Sequence, residues 1–347
     1  MLFESPHFDD HEKLVFCRDA DSDLKAIIAI HSTRLGPAAG GCRMFPYASE
    51  QAALDDVLRL SRAMTYKNAL AGLKLGGGKS VIIADPRAAG AKDRLRAFGR
   101  RIEALGGEYW TAEDVGVDLE AVEAIADGTR FVFGTRIGPS ATGDPSAYTA
   151  RGVYAGMRAA VRHRLGRDAV AGLKIAVQGV GSVGLALCRI LAEAGADLVV
   201  ADRNPDAVGR AQQDLGAAVV TPGLIHEAEA DVFAPCAMGA VLNERTVPGL
   251  RARVVAGAAN NPIATPADAA ELRRRGILSA PDFVINAGGM MHASGEIFGV
   301  RDEAAVAGAI EGIYGTVIEI CERADAEDKP PEVIAVELAG RRLNHIA

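Results

Sequence analysis

A glycine-rich turn near the middle of the chain has the residue spacing of a dinucleotide-binding site. Gly179-Val-Gly-Ser-Val-Gly184 follows an apolar run at 173–178 and precedes an apolar segment that ends at Gly195. A second apolar run then ends in Asp202. Strand, glycine turn, helix and a second strand with a terminal acid, in this order, are typical of the Rossmann fingerprint.

Each part of this motif has a physical task. Gly179 permits the tight turn, Gly181 lets the backbone approach a pyrophosphate, and Gly184 lets the helix pack closely on the strand. Free N–H groups at the helix start would hold the diphosphate. Asp202 would accept hydrogen bonds from ribose hydroxyls and repel a 2′-phosphate, which favours NAD over NADP, although Arg203 could pair with such a phosphate. The cofactor-binding residues predicted from this motif are Gly179, Val180, Gly181, Ser182, Val183, Gly184, Asp202 and Arg203.

A lysine that follows three consecutive glycines is a second candidate for chemistry. Gly76-Gly-Gly-Lys79-Ser resembles the end of a phosphate-binding P-loop, but that motif needs a glycine where Leu73 stands and a helix after the serine. Apolar strand residues follow instead, so the P-loop interpretation fails. Glycine backbone and apolar neighbours indicate a desolvated Lys79, and desolvation disfavours the ammonium form. Lys79 is therefore a candidate general base, whereas Lys74 is expected to be solvated.

Alternating strands and helices are predicted to position these motifs. Apolar β-branched runs predict the strands, and apolar residues spaced i, i+3, i+4 and i+7 predict the helices. Predicted strands are 26–30, 81–84, 173–178 and 198–202, and predicted helices are 50–70, 93–105 and 147–163. A loop rich in turn-forming residues, 137–146, separates two such series. The predicted fold class is α/β.

Composition restricts the class of protein further. The chain has 347 residues, 49% of them hydrophobic, and a formal charge of -7. This length predicts about two domains, and the acidic balance argues against nucleic acid as a partner. The N-terminus lacks the features of a secretory signal, and no run approaches the roughly 18 apolar residues of a membrane span. The five scattered cysteines favour reduced thiols and a cytoplasmic protein, and His7 and His11 lack the third ligand that a metal site needs.

Six short motifs occur along the chain in a characteristic order. They are Gly40-Gly41, Lys67, the Gly-Gly-Gly-Lys79 run, Thr111-Ala-Glu-Asp114-Val-Gly, Ala256-Gly-Ala-Ala-Asn260-Asn261 and Leu338-Ala-Gly-Arg-Arg. Together with the Rossmann fingerprint, this set resembles the glutamate, leucine, phenylalanine and valine dehydrogenase superfamily, and within it the leucine and phenylalanine branch. The resemblance implies NAD-dependent oxidative deamination of an L-amino acid to the 2-oxo acid and ammonia.

The resemblance also implies a role for each residue of the amino acid site. Lys67 would pair with the substrate carboxylate, helped by the backbone of Gly40 and Gly41. Lys79 would be the general base that activates water against the imino acid, and Asp114 would exchange protons with Lys79 and the substrate nitrogen.

Further residues would contact the cofactor by the same resemblance. Asn260 would contact the nicotinamide and Asn261 the substrate, and Thr149 would face the nicotinamide end of the cofactor. Cys236 and Ala237 would line the cofactor after a Rossmann strand. Cys236 is expected to be a packed small residue rather than a nucleophile.

Four apolar positions would surround the substrate side chain. They are Ala39, Ala112, Met290 and Ala293. A glutamate side chain would bury an unpaired charge among them, so a hydrophobic substrate is expected. Ala112 is typical of leucine-type enzymes. The small Ala39 would enlarge the pocket, whereas the large, flexible Met290 would reduce its volume. Leucine or another branched-chain amino acid is favoured, with phenylalanine as the alternative.

The resemblance extends to architecture. Residues 1–136, with 325–347, would form a substrate-binding and oligomerisation domain, and residues 137–324 would form the Rossmann domain, with the substrate in a cleft between them. A homo-oligomer is expected, with no nucleic acid or membrane partner. A non-catalytic NAD-binding regulator would have no use for Lys67, Lys79 and Asp114 together. A 2-hydroxy acid dehydrogenase would need a histidine base, and only His292 lies in a motif.

Overall fold

The computed structural model describes residues 3, 5–136, 141–237, 239–300 and 302–344. The chain forms two compact units, and it passes between them more than once. The first unit contains Met1–Asp144, His292–Asp302 and Ala339–Ala347, and the second contains Pro145–Met291 and Glu303–Leu338. The predicted α/β class is confirmed for both.

The first unit is built on a mixed six-stranded sheet. Its strands are β1 (Lys13–Asp19), β2 (Leu24–Ser32), β3 (Ala38–Ala39), β4 (Cys42–Phe45), β5 (Gly76–Ile83) and β6 (Tyr109–Trp110), and its helices are α1 (Glu50–Leu70), α2 (Ala91–Glu103) and α3 (Leu119–Ala126). The order is β1-β2-β5-β3-β6, and β4 also pairs with β5. Strand β5 is therefore central, which explains why its residues are almost all buried.

Strand β5 begins at Gly76, earlier than the strand predicted at 81–84, so the glycines before Lys79 are strand residues rather than a loop. A Cβ on Gly77 would lie 2.1 Å from the backbone nitrogen of Thr65, and one on Gly78 would lie 2.7 Å from the ring of Tyr109. Only glycine therefore lets helix α1 and Tyr109 approach this strand so closely. The glycines of β5, although they have the composition of a loop, therefore allow close packing within this unit.

The second unit has an all-parallel sheet covered by helices. Its strands are β7 (Lys174–Gln178), β8 (Asp197–Ala201), β9 (Ala218–Val219), β10 (Val232–Pro235), β11 (Val254–Val255) and β12 (Leu278–Ser279), and the helices from Ser146 onward are α4 (Ser146–Leu165), α5 (Ser182–Glu193), α6 (Pro205–Leu215), α7 (Pro266–Arg274), α8 (Asp282–Ile285), α9 (Gly288–Phe298), α10 (Glu303–Ala326) and α11 (Pro331–Asn344). The strand order is β12-β11-β10-β7-β8-β9. Strand order reverses next to β7, the position at which open α/β sheets bind ligands.

The compact units differ in extent from the predicted domains 1–136 with 325–347 and 137–324. Helix α9 begins in the second unit and ends in the first, where Glu296 accepts hydrogen bonds from the backbone nitrogens of Thr135, at 3.0 Å, and Thr142, at 2.6 Å. Residues 325–338 group with the second unit. The predicted loop 137–146 includes 137–140, which lie outside the described residues.

Within the described part of the chain, α10 is the helix whose length and apolar composition would suffice to cross a membrane. No segment of that kind was expected from the sequence. Helix α10 packs on α4 within the second unit. Ile313, Val317 and Ile320 are buried there. The core helix of a folded domain meets the same criteria of length and composition.

Candidate active site

Lys79 and Asp114 form a largely buried ion pair in the first unit. Lys79 on β5 is 6% exposed, and its Nζ lies 2.9 Å from Asp114 Oδ2. Asp114 lies between β6 and α3, where its backbone nitrogen donates to Val117 O at 3.1 Å. Burial raises the pKa of Asp114, but the positive charges of Lys79 and Arg43 outweigh it and lower that pKa to about 2. Asp114 is thus an ionised carboxylate at neutral pH, within hydrogen-bond distance of Lys79.

Glycine backbone lies directly against this pair. A Cβ on Gly40 would lie 2.0 Å from Gly78 O, and one on Gly41 would lie 3.0 Å from Asp114 Cβ. The buried Tyr109 hydroxyl donates to Gly40 O at 2.8 Å, which fixes the backbone at that position. The structure therefore brings Gly40, Gly41 and Asp114 to the part of β5 that carries Lys79.

Lys67 lies on the helical turn that packs on the same glycines. Helix α1 begins at a Ser49 cap, whose hydroxyl accepts from Ala52 N at 3.1 Å. Near its other end, Asn68 Nδ2 donates to Gly76 O at 2.6 Å, and Met64 Cγ lies 2.9 Å from the position of a Gly40 Cβ. Residues three or four apart share a helix face, so Lys67 is within one turn of the glycine backbone.

Three of the predicted side-chain pocket residues belong to the first unit. Ala39 on β3 is buried and pairs with Gly77. The carbonyl of Ala112 accepts a hydrogen bond from Cys42 N at 2.9 Å. Ala112 lies two residues before Asp114 in the chain. Ala293 on α9 is buried, whereas Met290, on the same helix, lies in the second unit and is half-buried.

The glycine turn of the second unit has the geometry that the Rossmann motif requires. Gly179 has φ +91°, and a Cβ on Gly184 would lie 2.0 Å from Gly179 O. At Gly181 an added Cβ would meet nothing within 4 Å, so the space beside the turn is open. Helix α5 begins at Ser182 without a side-chain cap. Its first N–H groups therefore remain available to an anion.

Asp202 directly follows β8 and is bound to the same turn. Its Oδ2 accepts from Val180 N, and its Oδ1 accepts from Asn204 N, both at 2.8 Å. These bonds orient the carboxylate beside the glycine turn. Arg203 next to it is exposed.

The other predicted cofactor residues lie in the second unit too. Burial raises the pKa of the Cys236 thiol to about 11, so it is a poor nucleophile. The Thr149 hydroxyl lies 2.4 Å from where a Gly289 Cβ would be, at the start of α9. Asn260 Oδ1 accepts from Asn286 Nδ2 at 2.9 Å, and Asn261, with φ +48°, donates from its backbone to Asp282 Oδ2 at 2.8 Å. Met238, in the same predicted loop as Cys236, lies outside the described residues.

Two buried amide oxygens adjoin these residues. Among the residues described, Gln178 Oε1 and Asn286 Oδ1 are buried and accept no hydrogen bond. Gln178 ends β7 immediately before the turn, and Asn286 holds Asn260. Because a buried acceptor without a donor is costly, these oxygens fit a site that a polar ligand completes. The residues present thus fit a dinucleotide.

Sequence reasoning missed several residues around the ion pair and the turn, above all Arg43, Asp56, Tyr109 and Asn286. Arg43 Nε donates to Asp114 Oδ2 at 3.1 Å, and Arg43 Nη1 donates to Asp56 Oδ2 at 2.8 Å. Arg43 stands between the apolar Cys42 and Met44. A charged residue in such a run is a local indication that its side chain is paired with a buried carboxylate.

Within the described part of the chain, no group of three histidine, cysteine, aspartate or glutamate residues is placed to hold a metal ion. His11 lies against helix α1 instead. Its Nε2 is 3.0 Å from both Leu58 O and Ser61 Oγ. Burial lowers the pKa of His11 to about 4, so it is neutral at physiological pH.

Comparison with known proteins gives consistent matches along the chain. Residues 11–131 match the dimerisation domain of the Glu/Leu/Phe/Val dehydrogenases, and residues 204–308 match the glutamate/leucine/phenylalanine/valine dehydrogenase family model. Leucine dehydrogenase from Bacillus subtilis is 48% identical over 99% of this chain and 94% of its own length. Valine dehydrogenase from Streptomyces virginiae is 44% identical over 96% of this chain and 94% of its own length. The crystal structure of L-tryptophan dehydrogenase from Nostoc punctiforme superposes with a TM-score of 0.85 at 41% identity, covering 97% of both chains.

Proposed function

The chain belongs to the Glu/Leu/Phe/Val dehydrogenase family and is an amino acid dehydrogenase, and we propose that it catalyses the reversible, NAD-dependent oxidative deamination of a hydrophobic L-amino acid. The amino acid, NAD⁺ and water yield the 2-oxo acid, ammonium, NADH and a proton. The observation that carries the proposal is the buried Lys79–Asp114 pair at 2.9 Å beside glycine backbone. Such a pair supplies the proton transfers that this reaction needs.

The first unit binds the amino acid in this proposal. The ammonium group of Lys67 pairs with the substrate carboxylate, which the backbone of Gly40 and Gly41 approaches. Lys79 removes a proton from the water that attacks the imino carbon. Asp114 exchanges protons with Lys79 and with the nitrogen that leaves as ammonia, so the pair returns to its starting state after each turnover.

The second unit binds NAD. The dinucleotide, when bound, accepts the hydride that the amino acid Cα releases. The N–H groups that follow Gly181 at the start of α5 hold the diphosphate. Asp202 accepts hydrogen bonds from the ribose hydroxyls, and its negative charge disfavours the 2′-phosphate of NADP. Thr149, Asn260, Cys236 and Ala237 would hold the nicotinamide end, and Asn261 would contact the substrate.

We favour leucine or another branched-chain amino acid as the substrate. Ala39, Ala112 and Ala293 offer only methyl groups, and with Met290 they provide no partner for a charged side chain. The relatives described above carry the names leucine, valine and tryptophan dehydrogenase, so similarity alone does not choose among hydrophobic side chains. Phenylalanine is the alternative substrate, because the small Ala39 leaves volume for a ring.

Assembly and location follow as parts of the proposal. We expect a homo-oligomer, since residues 11–131 match a domain described as a dimerisation domain. We expect the enzyme to act in the cytoplasm, where NAD, reduced thiols and amino acids occur together. The net charge of -7 gives no support to a nucleic acid partner.

A substrate panel tests the proposed specificity. Initial rates of NADH formation are measured at alkaline pH for L-leucine, L-valine, L-isoleucine, L-phenylalanine, L-tryptophan and L-glutamate, each with NAD⁺ and with NADP⁺. We expect the highest kcat/KM for a branched-chain amino acid with NAD⁺ and negligible turnover of glutamate. A preference for glutamate or for NADP⁺ would contradict the assignment of the pocket or of Asp202.

A further inference from the structure

Arg43 contacts the same carboxylate oxygen as the candidate base. Arg43 Nε donates to Asp114 Oδ2 at 3.1 Å, and Lys79 Nζ lies 2.9 Å from that oxygen. The Arg43 side chain is 22% exposed. Asp114 therefore has two cationic partners in a site largely removed from water.

The backbone around Arg43 places its side chain there. Arg43 lies on β4 beside Val81 of β5. Its neighbours Cys42 and Met44 donate backbone hydrogen bonds to Ala112 O and Val115 O, both at 2.9 Å. Arg43 is thus flanked by two bonds to the segment that carries Asp114, so the two backbone segments cannot separate without breaking these bonds.

A second carboxylate fixes the far side of the guanidinium. Arg43 Nη1 donates to Asp56 Oδ2 at 2.8 Å, and the Tyr47 hydroxyl donates to that oxygen at 2.7 Å. Arg59 Nη2 donates to the other oxygen, Asp56 Oδ1, at 2.7 Å. A guanidinium bonded through two different nitrogens has one orientation, so Arg43 is held before any ligand arrives.

We propose that Arg43 is a positioning residue that keeps Asp114 ionised and directed at Lys79 between its proton transfers, with Asp56 holding Arg43 in place. The proposal rests on the proposed function of the Lys79–Asp114 pair. A general base alternates between charged and neutral forms. When Lys79 is neutral, Asp114 would be a buried carboxylate without a cation, and burial favours its protonation. Arg43 remains charged at every working pH, so Asp114 holds a proton only during the proton exchange itself.

Three further titratable side chains lie around the pair, and each is neutral in the working pH range. Burial raises the pKa of the Cys42 thiol to about 12, and it raises the pKa values of the Tyr47 and Tyr109 hydroxyls well above their usual range. These three groups therefore contribute no pH response near Asp114 in that range.

The test compares Arg43→Met with Arg43→Lys and with a matched control, Arg94→Met. Arg94 is similarly buried in the same unit but pairs with Asp23, at 3.6 Å. In Arg43→Met we expect kcat to fall about tenfold or more, with an unchanged Kd for NAD⁺. We also expect the activation limb of the kcat/KM–pH profile to shift, because Asp114 loses one of its two cationic partners. Arg43→Lys keeps the charge, so the limb should return to its wild-type position, and Arg94→Met should match wild type.

A double-mutant cycle separates positioning from a structural role. If Arg43 acts through Asp114, Arg43→Met should cost little further activity in an Asp114→Asn background. An equal loss in that background, or a wild-type rate and pH profile for Arg43→Met, would overturn the proposal. Should Arg43→Met not fold, Asp56→Asn takes its place in the cycle with a smaller expected loss, about two- to fivefold. Absence of amino acid oxidation by the wild-type enzyme would instead refute the proposed function itself.

Discussion

Replacing Lys79 with alanine tests the proposed proton chemistry at its centre. The Lys79 side chain is 8% exposed and its Nζ lies 2.9 Å from Asp114 Oδ2, so bulk water has little access to the position that it occupies. General base catalysis contributes about 10²- to 10⁴-fold to a rate. We therefore expect kcat with L-leucine to fall by about that factor, which corresponds to roughly 3–5 kcal/mol of activation free energy.

The same structure predicts that Lys79→Ala folds and still binds NAD⁺. Asp114 keeps its hydrogen bond from Arg43 at 3.1 Å, so the buried carboxylate retains one cation. The proposed NAD-binding residues belong to the second unit, so the Kd for NAD⁺, measured by calorimetry, should stay within about twofold. Lys79→Met preserves the side-chain volume and should show the same loss of turnover.

Lys74→Ala is the matched control, because Lys74 lies in the same segment but is exposed. It should keep wild-type turnover when initial rates of NADH formation are measured side by side. Added primary amines should restore part of the Lys79→Ala rate, and more at higher pH, where they are unprotonated. A Lys79→Ala rate above about a tenth of wild type, or an equal loss in Lys74→Ala, would refute the assignment of the base.

Three further predictions concern the pocket, the cofactor and pH. Ala112→Gly should enlarge the side-chain pocket and raise the kcat/KM ratio of phenylalanine to leucine; an unchanged ratio argues against Ala112 as a pocket residue. Asp202→Asn should weaken NAD⁺ binding about tenfold and relax discrimination against NADP⁺, whereas Asp206→Asn, on the following helix, should change neither. The pKa of Asp114 is lowered from 3.8 to about 2 in the folded protein, so this group contributes about 2 kcal/mol of stability above pH 4 that disappears as the pH falls towards 2. Urea unfolding of wild type and Asp114→Asn should therefore differ by a constant amount from pH 7 to 5 and converge below pH 4, and a difference that grows in acid would contradict this linkage.

The elements that the sequence predicted are those whose patterns are local. Helix α1 has the range 50–70 that its apolar spacing predicted, and the strand, turn and helix around Gly179 follow from one continuous segment. Strand β5 was predicted too short, because its first three residues are glycines and have the composition of a loop. Their strand conformation depends on Thr65 and Tyr109, which are distant in sequence and need the space that a side chain would fill.

The candidate site shows the same limit. Lys79 could be named from its glycine and apolar neighbours, and Asp114 because its motif resembles that of a family. Arg43 and Asp56 could not be connected to them, because the contact between Arg43 and Asp114 joins two segments through the pairing of β4 with a loop after β6. Likewise, the return of residues 292–302 to the first unit depends on Glu296 meeting Thr135 and Thr142, which no window of sequence shows.

The most direct test of the proposed reaction is its stoichiometry. Purified enzyme is incubated with NAD⁺ and L-leucine, and NADH, ammonia and the 2-oxo acid are measured in the same sample, beside D-leucine and the matching 2-hydroxy acid. The proposed chemistry predicts equal amounts of the three products from L-leucine and none from the other two compounds. NADH formed without ammonia, or formed from the 2-hydroxy acid, would contradict it.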